Sequence, residues 1–136
     1  MRLEITRRAD LATRAMLILA SADDRTKAAV LAERLDTSAG FVAQAMTPLV
    51  GRGWVRSDPG PSGGYTLVTD LGAVSVLDVI EAVEGATDTA RCVLEDRACA
   101  RGAHCALHIP WSRARTQLLG ELADTPLAAI TTGTRR

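Results

Sequence analysis

The chain has 136 residues, room for one domain or one small domain with an appended element. Apolar residues make up 47% and charged residues 24%, and 16 Lys+Arg balance 16 Asp+Glu. That excludes a disordered chain and a polycation that coats nucleic acid by bulk charge. Aromatic residues are 3%, too few for base-stacking platforms, and the longest apolar run, around Ala15–Ala22, is far short of a membrane span. The opening Met1-Arg2-Leu3-Glu4 carries no apolar signal region, so a cytoplasmic chain is expected. Three cysteines in that compartment point to metal or redox chemistry rather than a disulfide framework.

Residues 9–22 read as a helix, with Leu11, Ala15, Ile18, Leu19 and Ala22 on one stripe. A turn follows, then a short helix from about Lys27 to Leu35 with Thr26 as its N-cap. Asp36-Thr37-Ser38 is a three-residue break. A third helix runs from Ala39 to Arg52, capped by Ser38 and stopped by Gly53, and Pro48 is expected to kink or shorten it. Trp54–Ser57 and Tyr65–Val68 read as two strands of a hairpin joined by the turn-rich Asp58–Gly64. Ser75-Val-Leu-Asp78 has the form of a capping box opening a helix that turns Val76, Leu77, Ile80 and Val83 inward and ends at Gly85. Residues 86–107 lack periodicity and hold all three cysteines. Pro110 suits the first turn of a long last helix, with Trp111, Ala114, Leu118, Leu119 and Leu122 on one face. A break at Thr125-Pro126, a short apolar turn over Leu127–Ile130 and a loose tail, Thr131–Arg136, complete the chain.

The expected fold is therefore mainly α with a small β-hairpin: a winged helix-turn-helix followed by a long C-terminal helix. Two helices joined by a three-residue turn and followed by a glycine-rich hairpin suit double-stranded DNA, because the second helix fits the major groove and offers its N-terminal residues to base edges. Here those residues are Ser38, Gly40, Phe41, Gln44 and Thr47, of which Phe41 also suits the core. Gln44 can bond adenine through two hydrogen bonds. Arg2, Arg7, Arg8 and Arg14 crowd the first helix and suit phosphates. Thr26, and Arg56, Ser62 and Gly63 of the hairpin, complete the expected DNA contacts. Residues 1–66 hold nine Arg+Lys against seven acids, whereas 67–84 hold four acids and no base, so the neutral total hides a mildly basic DNA-facing half.

Cys92, Cys99 and Cys105 are spaced C-x6-C-x5-C, and His108 follows as C-x2-H. Thiolates on one irregular loop suit an iron–sulfur cluster or zinc. Three are one short of a fully cysteine-held cluster, which calls for a fourth ligand of another type: His108, or Asp10 if the first helix of this or a second chain reaches the loop, with Glu4 a weaker option. A Cys3His zinc site, a thiol–disulfide switch and three small buried side chains are the competing readings. His104 reads as a solvated loop histidine. No Ser/His/Asp set, phosphate loop or paired-carboxylate pocket is present in the sequence, so an enzyme is not expected.

Taken together, Met1-Arg2-Leu3 with Leu11–Leu17, Gly53-Trp54-Val55 leading to Gly60-Pro61-Ser62-Gly63-Gly64-Tyr65-Thr66-Leu67, Ser75–Gly85, and the three cysteines resemble the IscR/NsrR/RirA regulators, the Rrf-two family of winged-helix iron–sulfur sensors. The resemblance covers about residues 1–130. It implies a homodimeric transcription factor, a repressor in the first reading, with no membrane association. Its cluster would sense nitric oxide, redox state or iron–sulfur status and gate binding to operator DNA. It implies a winged helix-turn-helix over 1–70, a linker helix and cysteine loop over 71–107, and a dimerisation helix and tail over 108–136. It also splits the fourth ligand. Cys105-Ala-Leu-His108 is similar to the IscR pattern, where that histidine ligates a two-iron cluster. Asp10 falls where NsrR-type nitric-oxide sensors carry an aspartate from the other protomer on a four-iron cluster, the assignment slightly favoured. Pro59 and Ala43 depart from the family's usual wing and recognition-helix residues, and an iron- or cluster-status regulator or a metal carrier without a DNA role are the alternatives.

Overall fold

A computed structural model describes residues 1–99 and 104–130; residues 100–103 and the tail expected to be loose, 131–136, lie outside the described residues. The first helix, α1, spans Arg7–Ala20, starting two residues before the expected residue 9 because the Thr6 hydroxyl accepts a hydrogen bond from the Ala9 N–H (3.2 Å). Ala22 lies beyond its end. Ala9, Leu11, Ala12, Ala15, Met16 and Leu19 are buried, a broader stripe than the sequence periodicity picks out, because α1 is covered on two sides, by α3 and α4.

Helix α2 spans Ala28–Arg34. Its N-cap is Lys27, without a side-chain cap bond, rather than the expected Thr26. Thr26 instead pairs with Tyr65 through two backbone hydrogen bonds (2.9 and 2.8 Å), which adds one rung beside the wing and buries it. Asp36, at φ 52°, turns the chain into α3, Ala39–Gly51, whose cap is Ser38 as expected (Phe41 N–H to Ser38 Oγ, 3.1 Å). Pro48 lies inside α3 without ending it. The buried Val42, Ala45, Met46 and Leu49 hold both sides of that position against the core, which offsets the donor that proline lacks.

Strands β1 (Val55–Asp58) and β2 (Gly64–Leu67) form the antiparallel hairpin, with Val55 opposite Leu67 and Asp58 opposite Gly64. At Gly63 a Cβ would stand 2.0 Å from the Asp58 carbonyl oxygen, so the turn excludes any larger residue. A 3-10 turn, Leu71–Ala73, leads to α4, Val76–Glu84, and the expected capping box is complete: Ser75 Oγ accepts from the Asp78 N–H (3.0 Å) and the Asp78 carboxylate from the Ser75 N–H (2.8 Å). Its inward face differs from the expected one. Val79 is fully buried with Val76 and Val83, while Leu77 and Ile80 are half-buried and turn toward the last helix.

That helix, α5, spans His108–Ala123 and buries none of its residues. The chain then folds back. The Val76 N–H donates to the Thr125 carbonyl (2.9 Å), the Leu127 N–H donates to the Val74 carbonyl (2.9 Å), and Leu127 enters the core with no exposed surface. The core is thus built by α1, α3 and α4 with contributions from α2, β1 and this returning segment. Among the described residues no helix is long and apolar enough to cross a membrane.

Candidate nucleic-acid interface and metal centre

The exposed face of α3 carries Gly40, Ala43, Gln44 and Thr47, spaced i, i+3, i+4 and i+7, with Ser38 at its start. Burial of Val42, Ala45, Met46 and Leu49 fixes this rotation, so packing against α1 decides which residues a groove would meet. Phe41 is half-buried against the core, and the Arg7 guanidinium stands 5.9 Å from its ring centroid, tying the start of α1 to the start of α3. Ser62, at the hairpin tip, is exposed, and Gly63 beside it is buried by the turn. Arg56 is exposed and leans on Asp58 (3.3 Å).

Three further residues expected at DNA make contacts within the chain. Arg8 donates to the Val83 carbonyl at the end of α4 (2.5 Å), where a cation complements the helix C-terminus, so it holds α1 to α4. Thr26 is buried by its pairing with Tyr65. Arg2 pairs with Glu4 (3.4 Å) and lies beside a groove between α4 and α5.

The three cysteines converge. A left-handed Ala90 (φ 58°) turns the chain, the Cys92 N–H donates to the Arg97 carbonyl (2.8 Å) and the Cys99 N–H to the Ala90 carbonyl (3.3 Å). This small closed loop brings the sulfurs of Cys92, Cys99 and Cys105 to within 4.8 Å of one another, all half-buried. Ion pairs Arg91–Asp96 and Glu95–Arg97 brace the loop, and Arg115 of α5 reaches Asp88 (3.3 Å). The Leu94 N–H on the Cys92 sulfur (3.4 Å), with lesser help from the Glu95 N–H and the other two thiols and against burial, pulls the Cys92 thiol down to about 7. Cys99 moves the other way. A hydrogen bond from the Cys105 backbone favours its thiolate, but burial and the neighbouring Cys92 and Cys105 thiols outweigh that and raise it.

The chemistry of this donor set fits an iron–sulfur cluster: three convergent thiols, none in a disulfide, with non-thiolate donors adjacent. Of the candidate fourth ligands, His108 at the first position of α5 has a ring nitrogen within 4.8 Å of the Cys99 sulfur. Asp10 belongs to no such group within one chain and pairs with Arg14 (3.1 Å), and Glu4 faces Arg2. His104, read from sequence as a solvated loop residue, joins Cys99 and His108 in a second group. Its ring stacks on His108 with centroids 3.7 Å apart and planes at 10°. The H-x3-H spacing was the signal that could have found it.

The family described as "Rrf2: Iron-dependent Transcriptional regulator" matches residues 5–133 of the chain. An HTH-type regulator named ORF2 from Azotobacter vinelandii is 32% identical over 130 residues, which span 94% of this chain and 79% of that one. The HTH-type transcriptional regulator IscR of Klebsiella pneumoniae is 33% identical over 100 residues, 74% of this chain and 61% of IscR. Among solved structures, CymR (YrzC), titled the global cysteine regulator of B. subtilis, superposes with a TM-score of 0.75 at 27% identity over 98% of this chain and 99% of that one. IscR of T. potens shares the fold, with a TM-score of 0.71 at 22% identity over 93% of this chain and 85% of that one.

Proposed function

The chain belongs to the Rrf2 family of transcriptional regulators, and we propose that it binds operator DNA as a homodimer whose affinity is gated by an iron–sulfur cluster on Cys92, Cys99 and Cys105. It is a regulator, not an enzyme, as are its relatives. The observation that carries the cluster reading is the convergence of three sulfurs within 4.8 Å on a loop joined through α4 to a winged helix-turn-helix.

The DNA-facing surface in this reading is Ser38, Gly40, Gln44 and Thr47 on α3, with Ser62 and Arg56 on the wing. Two copies would present their α3 helices to successive major-groove faces about 34 Å apart. The dimer reading is supported by α5, which buries no residue and leaves Leu118 and Ile109 exposed, and by the apolar groove of about 410 Å³ that Leu77, Ile80, Leu118, Leu119 and Leu122 line beside it. In this reading residues 1–70 bind DNA, 71–107 carry the sensor and 108–136 pair the copies.

The cluster, when bound, supplies an acid-, redox- and nitric-oxide-sensitive inorganic centre. The protein's part is to hold it with one non-thiolate ligand, so that it is easier to lose than a four-cysteine cluster. Its loss or modification by nitric oxide, oxidants or iron shortage then shifts the dimer between binding and non-binding populations. We assign the fourth ligand to Asp10 of a second copy, with a four-iron cluster, on the resemblance of the α1 start. Asp10 is half-exposed there and would exchange its pair with Arg14. The closeness of His108 to Cys99 favours the alternative, a two-iron cluster held within one chain.

Anaerobic reconstitution tests the whole reading. Iron and sulfide bound per chain, an absorbing cluster, and operator binding that changes when the cluster is removed are expected, with a steep fall in affinity with salt on specific DNA. A colourless protein that takes up zinc and no sulfide would overturn it. Asp10→Ala is expected to weaken the cluster more than His108→Ala; the reverse order moves the assignment to His108.

A further inference from the structure

The loop offers two donor sets rather than one, and they meet at a single sulfur. Cys92, Cys99 and Cys105 form a thiolate set, while Cys99, His104 and His108 form a mixed set whose ligand atoms also lie within 4.8 Å of one another. The two sets suit different metals. Three thiolates favour an iron–sulfur centre, whereas one thiolate with two imidazoles suits a borderline divalent ion of the zinc class.

We propose that Cys99, His104 and His108 form a divalent-metal site of the zinc class, which competes with the three-thiolate set for Cys99. Three features support it. First, the intervals Cys99-x4-His104 and His104-x3-His108 are of the short kind such sites use, so closing the ring of ligands orders little extra chain. Second, the backbone already preorganises the histidines. The His108 N–H donates to the Cys105 carbonyl (3.1 Å), a turn that folds His104 back onto His108 and stacks the two rings at 3.7 Å. Third, His104 is exposed while Cys99 and His108 are half-buried, which gives an ion an entry path and a drier floor.

Donors bound at 2.0–2.3 Å in a tetrahedron stand roughly 3.5 Å apart, so from separations within 4.8 Å the site closes by no more than roughly 1.3 Å on loading, and the nearly parallel rings tilt to converge. Binding replaces the Cys99 thiol proton with the metal, releases that proton to solvent, uses each imidazole in its neutral form, and leaves a fourth position for water. With Cys99 so engaged, only Cys92 and Cys105 remain for the thiolate set. A zinc-class ion and a cluster therefore exclude one another, and the regulator would read divalent-metal status through the same sulfur.

The site stands or falls separately from the cluster reading. The cluster-free full chain, stripped with chelator and kept anaerobic, is titrated with Co²⁺ as a visible substitute for Zn²⁺. One tetrahedral Co²⁺ per chain with the charge-transfer intensity of a single thiolate is expected, displaced by Zn²⁺. His104→Ala and Cys99→Ser should each weaken it on the order of tenfold or more, and Cys92→Ser should leave it in place. No Co²⁺ uptake, or a site that survives His104→Ala and vanishes with Cys92→Ser, overturns the proposal. Iron and sulfide loading should be unchanged by His104→Ala and suppressed by prior Zn²⁺. Loss of loading in His104→Ala would make that residue a cluster ligand and overturn the assignment. Wild-type protein that binds Co²⁺ but never a cluster would sink the cluster reading and leave this site standing.

Discussion

The two halves of the molecule are stabilised in different ways. From Ala9 to Val83 the chain supplies every buried apolar side chain among the described residues except Leu127, and helices α1, α3 and α4 close on each other around them. From Gly85 through α5 no side chain among the described residues is buried; the segment is held by ion pairs, a few backbone hydrogen bonds, the half-buried Leu122 packed against the core and the returning Leu127. Exposed ion pairs contribute little. The winged helix-turn-helix half therefore has its shape built in, whereas the cysteine-loop half has little apolar packing of its own. In the function proposed above, that is the division a switch requires: a rigid reader beside an element completed by a bound centre or a second copy.

The contrast can be broken most directly by truncating one leucine in each half. Leu49 is fully buried, so Leu49→Ala should cost about 2–5 kcal/mol of folding stability, read from chemical denaturation. Leu118 is 46% exposed, so Leu118→Ala should change it by less than about 0.5 kcal/mol while weakening self-association in sedimentation. Equal losses from both would show that α5 belongs to the core. Gln44→Ala should leave the fold intact and reduce discrimination between operator and variant DNA by about 1–3 kcal/mol, measured as a ratio of affinities at one salt concentration. Loss of binding to all sequences alike would instead make Gln44 a phosphate contact. Ser75→Ala removes one arm of the capping box and should cost about 1 kcal/mol of thermal or chemical stability without touching metal content.

A last contrast separates two thiols of one loop. Cys92 lies near 7 and Cys99 is raised, so in cluster-free protein the Cys92 thiolate is half formed at about pH 7 and dominates above it. Alkylation of Cys92 should rise through pH 7 and level off. Cys99 should still be accelerating there, and at pH 7 should react about tenfold or more slowly. Peptide mass spectrometry at several pH values reads this directly. Equal rates would mean that the Leu94 N–H does not hold the Cys92 sulfur in solution.

Much of the reader half was legible because its signals are local. Ser38 and Ser75 cap where their hydroxyls reach the next turn, Gly63 sits where no Cβ fits, and the three-residue break before α3 matches the turn observed. Less legible are the contacts that depend on a distant partner. Thr26 pairs with Tyr65 rather than capping α2, Arg8 reaches the Val83 carbonyl, and Val79, not Leu77 or Ile80, is the fully buried residue of α4. That α3 runs on past Pro48 to Gly51 is likewise not local: the cost of the proline is local, but the packing of Val42 to Leu49 on the core that offsets it is not. At the sensor, the cysteine spacing pointed to one centre, while His104 escaped notice because its value lies in a ring stacked on His108, not in its neighbours along the chain.

The amino-acid order alone thus determined the winged helix-turn-helix, the mainly helical architecture and the presence of a cysteine-rich loop, since caps, turns and apolar periodicity act over one to eleven residues. Only the tertiary structure decided which face of α3 points outward, that the last helix is left uncovered, and that one sulfur, Cys99, stands between two sets of ligands. Those outcomes depend on contacts between segments far apart in the chain, where packing rather than local preference selects the arrangement.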